Sequence, residues 1–242
     1  MKKVIIVAIA LIAFQSTNAQ WWSSNKKVSG NGDVITQTFN TDDYDQIKVA
    51  GSMDVVLVAG TEGTIEVEAE SNIMEYLEIE TKGDKLEIGV KDGININTRK
   101  GIMVTVPVKD ISRISMAGSG DISSDLTLKS DKMEVSVAGS GDITLTTESR
   151  ALELNVAGSG DLKMSGRTEN LNASVAGSGD ISAYGLKANN VRASIAGSGD
   201  VSVFCNGGKM NASIVGSGDL RYKGKTSDIK KSVMGSGDIT KM

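Results

Sequence analysis

Apolar and polar residues alternate along most of the chain. Met133, Val135 and Val137 are separated by polar side chains, and the same alternation returns at residues 152–156 and 191–195. A period of two residues places every second side chain on one face of an extended backbone, which is typical of β-strands, and helical spacing fits nowhere in this region. The pattern therefore predicts an all-β protein.

The alternation is interrupted at regular intervals by the motif Gly-Ser-Gly-Asp, each copy followed by a branched apolar residue. Successive copies are 21, 19, 19, 20, 19 and 19 residues apart. A unit this short cannot bury its own apolar face, whereas stacked copies can, with each copy contacting its neighbours. The seven copies stand at residues 118–121, 139–142, 158–161, 177–180, 197–200, 216–219 and 235–238.

We therefore predict a parallel β-helix, or β-solenoid, with seven rungs of 19–21 residues. The predicted coil is right-handed, because parallel crossover connections nearly always are. Each rung is expected to contain two short strands, with a second bend at Gly166, Gly185 and Gly224. The residues that follow the motif should form one apolar column inside the coil: Ile122, Ile143, Leu162, Ile181, Val201, Leu220 and Ile239.

The segment before the repeats also predicts strands, at 34–39, 46–49, 55–58, 64–69, 77–80, 85–90 and 102–106. Turn residues at 60–63, 82–84 and 91–93 suit hairpins. Residues 51–55 are a degenerate copy of the motif, so this strand-rich region is expected to begin the solenoid and cap its end. At the other end, Lys230, Lys231 and Lys241 protect the edge of the last rung.

The first residues predict a secretory signal peptide. Lys2 and Lys3 precede an apolar run of eleven residues, and small residues follow up to a predicted cleavage site after Ala19. An apolar run of this length is too short to span a membrane comfortably, so no stable span is expected after cleavage. The predicted divisions are signal peptide 1–19, leader 20–33, strand-rich region 34–110 and repeat solenoid 111–242.

Composition excludes some function classes. The chain has 26 basic and 30 acidic side chains and no His, and a mild acidic excess argues against nucleic-acid binding. Cys205 is the single cysteine of the sequence. Without a His to activate it, we interpret Cys205 as a small packing residue and not a nucleophile.

The repeated Asp has a structural interpretation. Two Gly per bend allow a sharp change of direction, at Gly179 through a positive φ, and Ser and Asp accept hydrogen bonds from backbone N–H groups in turns. Like charges stacked about 4.8 Å apart repel by about 0.9 kcal/mol per pair in water. We expect backbone donors within each bend to hold the carboxylate and offset this repulsion.

Calcium binding is the alternative, because Gly-rich turns carrying Asp bind calcium in other β-rolls. One Asp per rung is few ligands for an ion that takes about six to eight oxygens. We therefore predict no metal and no cofactor, with the motif serving as a corner. The alternative calcium column would consist of Asp121, Asp142, Asp161, Asp180, Asp200, Asp219 and Asp238.

Catalysis is a further alternative, since some parallel β-helices cleave polysaccharides with clustered acids and bases. Here the acidic residues repeat with the scaffold, and no acid pair stands apart from it. We therefore predict that the protein is not an enzyme and has no catalytic residue.

The segments Tyr44–Gly51, 55–58, 104–107 and 116–121 together resemble the putative auto-transporter adhesin family, whose unit is the head GIN domain. The resemblance covers residues 35–242 and rests on strand and turn patterns. It implies an exported right-handed β-helix, typical of bacteroidetes, with a surface or adhesive role, and it offers no catalytic residue.

These observations predict an exported, non-catalytic interaction module of the cell envelope or surface, adhesion included. Its partner would be a glycan or a protein, and its location the periplasm, the outer surface or the extracellular medium. The alternatives are a carbohydrate-active β-helix enzyme and a calcium-stabilised structural spacer.

Overall fold

The computed structural model describes residues 26–242, which are almost entirely β-strand. The strands coil into a β-solenoid of about seven turns, which confirms the predicted fold class. The predicted signal peptide at residues 1–19 and residues 20–25 of the predicted leader lie outside the described residues. The right-handed sense of the coil stays a prediction.

The strand-rich region contains every strand predicted for it. The sequence does not predict two four-residue strands and one short helix, because such elements are too short to show a period. The elements are β1 (Lys26–Ser29), β2 (Val34–Asn40), β3 (Gln46–Gly51), β4 (Asp54–Ala59), β5 (Thr64–Glu70), α1 (Ser71–Met74), β6 (Leu77–Lys82), β7 (Lys85–Val90), β8 (Ile94–Asn97) and β9 (Met103–Val108).

The repeat region adds one rung per motif, and every neighbouring pair in it is parallel. Its strands are β10 (Arg113–Gly118), β11 (Ile122–Gly139), β12 (Ile143–Gly158), β13 (Leu162–Gly177), β14 (Ile181–Gly197), β15 (Val201–Asn206), β16 (Lys209–Gly216), β17 (Leu220–Lys225), β18 (Asp228–Gly235) and β19 (Ile239–Lys241). In β11–β14 pairing continues past the predicted second bend. Each of these rungs is therefore one strand of 16–18 residues and not two short ones.

The strand-rich region joins the solenoid directly. β3 pairs in parallel with β7 on one side and β10 on the other, and β4 lies likewise between β9 and β11. β6 and β7 form the hairpin predicted at residues 82–84. The hairpins suggested at 60–63 and 91–93 are wrong, because β4 has parallel partners on both sides and β8 pairs with β1.

Local bulges absorb the unequal lengths of the rungs. The pairing of β11 with β12 slips between Ser123 and Thr127, and that of β13 with β14 slips between Lys163 and Ser165. These are the rungs that carry the extra residues behind the spacings of 21 and 20. The corners therefore stay in register along the whole stack.

One continuous core runs through both regions, from Tyr44 to Tyr222. The predicted apolar column is present, with Ile143, Leu162 and Ile181 aligned on successive rungs and at most 1% exposed. The buried hydroxyl of Thr147 is satisfied across rungs, where it donates to the carbonyl of Leu128 at 3.0 Å. The last member of the column, Ile239 in β19, is only partly buried.

Candidate functional site

The motif aspartates form one column, and each hydrogen-bonds to the next rung. The N–H of Asp161 donates to Oδ1 of Asp142 at 2.9 Å, and the N–H of Asp180 donates to Oδ1 of Asp161 at 2.8 Å. The same bond recurs at seven steps, at 2.7–3.1 Å, starting from Asp54 of the degenerate motif. The expectation of donors within the same bend is therefore wrong, since the donor belongs to the following rung.

Both glycines of the motif have structural reasons of different kinds. The first Gly has a positive φ, +136° at Gly177, which favours glycine. The second, Gly179, has no positive φ, so that part of the sequence prediction is wrong. A Cβ at Gly179 would instead overlap the backbone carbonyl of Gly160 on the preceding rung. The corner is thus specified by close backbone approach as much as by dihedral angle.

The outer carboxylate oxygens of the column are few for a metal ion. Arg221 donates to Oδ2 of Asp200 at 2.8 Å and to Oδ2 of Asp219 at 2.9 Å. The hydrogen bond that Arg221 donates to the Asp200 carboxylate raises the pKa of the Arg221 guanidinium. Within residues 26–242, no group of three or more His, Cys, Asp or Glu side chains is arranged to hold a metal ion.

Two ionisable side chains away from the column, those of Cys205 and Glu70, are buried inside the protein. Cys205 is fully buried, and burial raises the pKa of its thiol, which disfavours the reactive thiolate. Glu70 is also fully buried, and its carboxylate accepts from Gly32 N–H at 2.6 Å and from Thr98 Oγ1 and Arg99 N–H at 2.8 Å. Desolvation acts to raise the pKa of Glu70, but these hydrogen bonds outweigh it and the pKa is lowered.

An open groove of about 790 Å³, here called the lateral groove, crosses the outer face of the solenoid. It runs over the starts of the strand segments that lead into the motif, from β11 to β16. Leu152, Leu171 and Val191 lie along its floor. Its lining is Lys132, Ala151, Leu152, Glu153, Asn170, Leu171, Asn172, Asn190, Val191, Arg192, Lys209 and Asn211.

Two rows of outward side chains build this groove. One row stands seven residues before the first Gly of each motif and the other five residues before it. Parallel register aligns the members of each row, for example Glu153 with Asn172 and Asn172 with Arg192. The rows are Lys132, Ala151, Asn170, Asn190 and Lys209, and Glu134, Glu153, Asn172, Arg192 and Asn211. Glu134, which begins the second row, does not line the groove and pairs with Arg113 at 2.7 Å.

The amides of the groove fall into two sets. Asn190 donates through Nδ2 to Oδ1 of Asn170 at 3.1 Å and accepts at Oδ1 from the N–H of Lys209 at 3.1 Å, so this pair braces the rungs. The side chains of Asn172 and Asn211 make no hydrogen bond to the residues that the structure describes. Both residues line the groove, so their amide donors and acceptors are available to a ligand.

The charges of the groove are uneven. Lys132, Arg192 and Lys209 line it, and none of them forms an ion pair within the described part of the chain. Glu153 is the one carboxylate among the described lining residues. By contrast, Arg150 in the neighbouring depression pairs with Asp131 at 2.7 Å.

The groove is not predicted from the sequence, because its lining residues lie outside the Gly-Ser-Gly-Asp motif. Aligning the repeats at their first Gly reveals it. The positions three and one before that Gly carry mostly Ser and Ala, whereas the positions seven and five before it, Ala151 excepted, carry longer polar side chains. A change from small to long outward residues across one strand marks the edge of a groove.

Comparison with known proteins places the fold in one family of bacterial proteins. Residues 43–226 match the family described as "putative auto-transporter adhesin, head GIN domain". The chain has no significant match among curated proteins. Within residues 26–242 no helix is long and apolar enough to cross a membrane.

Three solved structures are similar over nearly their whole length. A putative adhesin from Bacteroides fragilis has a TM-score of 0.84 at 22% identity, with 89% of this chain and 100% of that chain covered. A putative lipid binding protein from Parabacteroides distasonis has a TM-score of 0.73 at 29% identity, covering 90% and 100%. A putative adhesin from Parabacteroides merdae has a TM-score of 0.74 at 25% identity, covering 89% and 99%.

None of these three relatives is named as an enzyme. The matched range extends from the strand before the degenerate motif to the penultimate rung, so it includes the Asp column as far as Asp219 and the whole lateral groove. The chain therefore belongs to the family of putative auto-transporter adhesins with a head GIN domain.

Proposed function

We propose that this protein is exported by cleavage after Ala19 and acts as a non-catalytic interaction module of the cell envelope, adhesion included. The lateral groove is the observation that carries the proposal. It is open along its length, and its amide and cationic side chains stand at outward positions, above core residues that form its floor. Family membership supports a surface role for such a face.

The groove chemistry favours binding over hydrolysis. Glycoside hydrolysis uses a pair of carboxyl groups across the scissile bond, one to protonate the leaving group and one to attack or activate water. Glu153 is the one carboxylate among the described groove residues, and Asn155 donates to it at 3.4 Å. The aspartate column lies at the motif corner, and its carboxylates already accept backbone hydrogen bonds.

The test is a binding panel with the purified mature chain. Glycans, extracellular matrix proteins and lipid vesicles are included, the vesicles because one relative is named a putative lipid binding protein. Binding of at least one panel member, without release of reducing ends or of unsaturated uronate from any glycan, is expected. Cleavage of a bound glycan would contradict the non-catalytic assignment, and mass spectrometry of native protein starting at Met1 would contradict export by cleavage.

A further inference from the structure

We infer that the lateral groove binds an extended anionic polysaccharide. This inference rests on the proposed interaction function and names its ligand class. The charge, the shape and the hydrogen-bonding groups of the groove support it.

The charge of the groove is opposite to that of the chain. The whole sequence has more acidic than basic side chains, 30 against 26. Lining side chains include three cations, Lys132, Arg192 and Lys209, against the single carboxylate of Glu153. A smaller depression of about 300 Å³ shares Arg192 and Asn211 with the groove and adds Lys230, together with Lys231, whose ammonium already donates to the Ile239 carbonyl. A line of unpaired cations concentrates anionic ligands from solution.

The shape suits a polymer and not a small molecule. The groove crosses five strands, β11, β12, β13, β14 and β16, so it is about 19 Å long at the usual strand separation of about 4.8 Å. Successive rungs present polar groups at this interval, which is similar to the length of one sugar residue in an extended glycan. A chain lying along the solenoid axis would therefore meet equivalent positions in each rung.

The available groups favour a sugar chain over a peptide. Extended peptides commonly bind by adding a strand to a free sheet edge, but the strands under this groove already have neighbours on both sides. Asn172 and Asn211 offer amide donors and acceptors that match sugar hydroxyls. No described lining residue is aromatic, so stacking on a sugar ring is absent and ionic contacts must supply much of the affinity.

The probe is polygalacturonate, compared with its methyl-esterified form, which has the same backbone without the charge. We expect polygalacturonate to bind and the ester to bind at least about tenfold more weakly, a difference of about 1.4 kcal/mol. Polyglutamate, a polyanion without sugar hydroxyls, should also bind more weakly. Equal binding of all three polymers would overturn the inference.

The variants locate the site. Arg192→Glu with Lys209→Glu should weaken polygalacturonate binding at least about tenfold. The matched control is Lys163→Glu with Lys225→Glu, the same charge change at exposed positions outside the groove, and it should bind like wild type. Asn172→Ala with Asn211→Ala should weaken polygalacturonate binding several-fold and leave polyglutamate binding unchanged.

Unchanged melting temperatures show that the variants fold, and Arg192→Gln with Lys209→Gln gives a second, milder change at the same site. If the control variant loses as much affinity as the groove variant, the binding is a general surface effect and the inference fails. If wild type binds another panel member and not polygalacturonate, the inference fails while the proposed interaction function stands. If nothing on the panel binds, both fail.

Discussion

Gly179 is constrained by the rung next to it. Its Cβ position is occupied by the carbonyl of Gly160, and backbone of this kind cannot move aside without disturbing the parallel ladder. We expect Gly179→Ala to lower the free energy of unfolding by about 3 kcal/mol, measured by denaturant titration. Gly185→Ala in the same rung is the control, because its Cβ would meet the Ser165 side chain, with the rotatable hydroxyl at 2.7 Å, while the backbone carbonyl of Met164 lies at an ordinary contact distance of 3.6 Å. Equal losses in the two variants would contradict this account.

Asp180 shows what the column requires of each carboxylate. Its Oδ1 accepts from the N–H of Asp200 at 2.7 Å. Asp180→Ala removes this acceptor and should cost about 1 kcal/mol of unfolding free energy. Asp180→Asn keeps an oxygen acceptor and relieves repulsion from Asp161 and Asp200, so it should be close to neutral. If Asn is as destabilising as Ala in chemical denaturation, the charge itself matters and the hydrogen-bond explanation is wrong.

Glu70 ties together three segments of the strand-rich region. Its carboxylate accepts hydrogen bonds from Gly32, Thr98 and Arg99. Because these bonds lower the pKa of Glu70 below its ordinary value of 4.5, the ionised carboxylate stabilises the fold at pH values above 4.5. That contribution is lost as pH falls through the still lower folded-state pKa. Glu70→Gln should lower the melting temperature at pH 7 and flatten its decline between about pH 5 and pH 3. A variant whose melting temperature falls with pH as steeply as wild type would rule out Glu70 as the responsible group.

Some features of the rungs are predicted from the sequence and others are not. The alternation at β12 and the fixed spacing of the motif predict parallel stacking, because both signals are local and repeated. The partner of an Asp carboxylate is a different matter, since Asp180 and Asp200 are twenty residues apart and meet only after the rungs have stacked. The four-residue strands β1 and β8 also escape prediction, because their pairing is decided by tertiary context.

The lateral groove escapes for a related reason. Lys132, Asn170 and Lys209 become neighbours in one row only when the register between rungs is known, and bulges in β11 and β14 shift the spacing from rung to rung. The motif supplies that register through its paired glycines. Candidate sites on a solenoid are therefore found by reading the sequence in columns aligned at the corner.

The last rung carries its own protection against edge pairing. Register places Lys231 at an inward position beside Ala212, where its ammonium lies 5.2 Å from the Tyr222 ring centroid and donates to the Ile239 carbonyl at 2.9 Å. A charge at an inward edge position disfavours docking of another apolar edge.

Lys231→Val should therefore increase self-association, because it extends the half-exposed apolar end formed with Ile229 and Val233. Sedimentation velocity over a concentration series measures the effect. Lys230→Val, an outward position on the same rung, removes the same charge without lengthening the inward apolar column. Monomeric Lys231→Val protein at all concentrations, or equal association of both variants, would contradict a protective role for Lys231.

The response of the whole molecule to calcium distinguishes a structural role of the Asp column from an ion-binding role. Calcium takes about six to eight oxygen ligands. Each Asp of the column from Asp121 to Asp219 has one oxygen committed to a backbone N–H, and Arg221 occupies two of the others. A ligand that binds the folded state stabilises it by mass action. We therefore expect the same melting temperature in millimolar calcium and in chelator. A rise of several degrees with calcium, lost when Asp161, Asp180 and Asp200 are changed to Asn, would show that the column holds the ion and would favour a calcium-stabilised spacer.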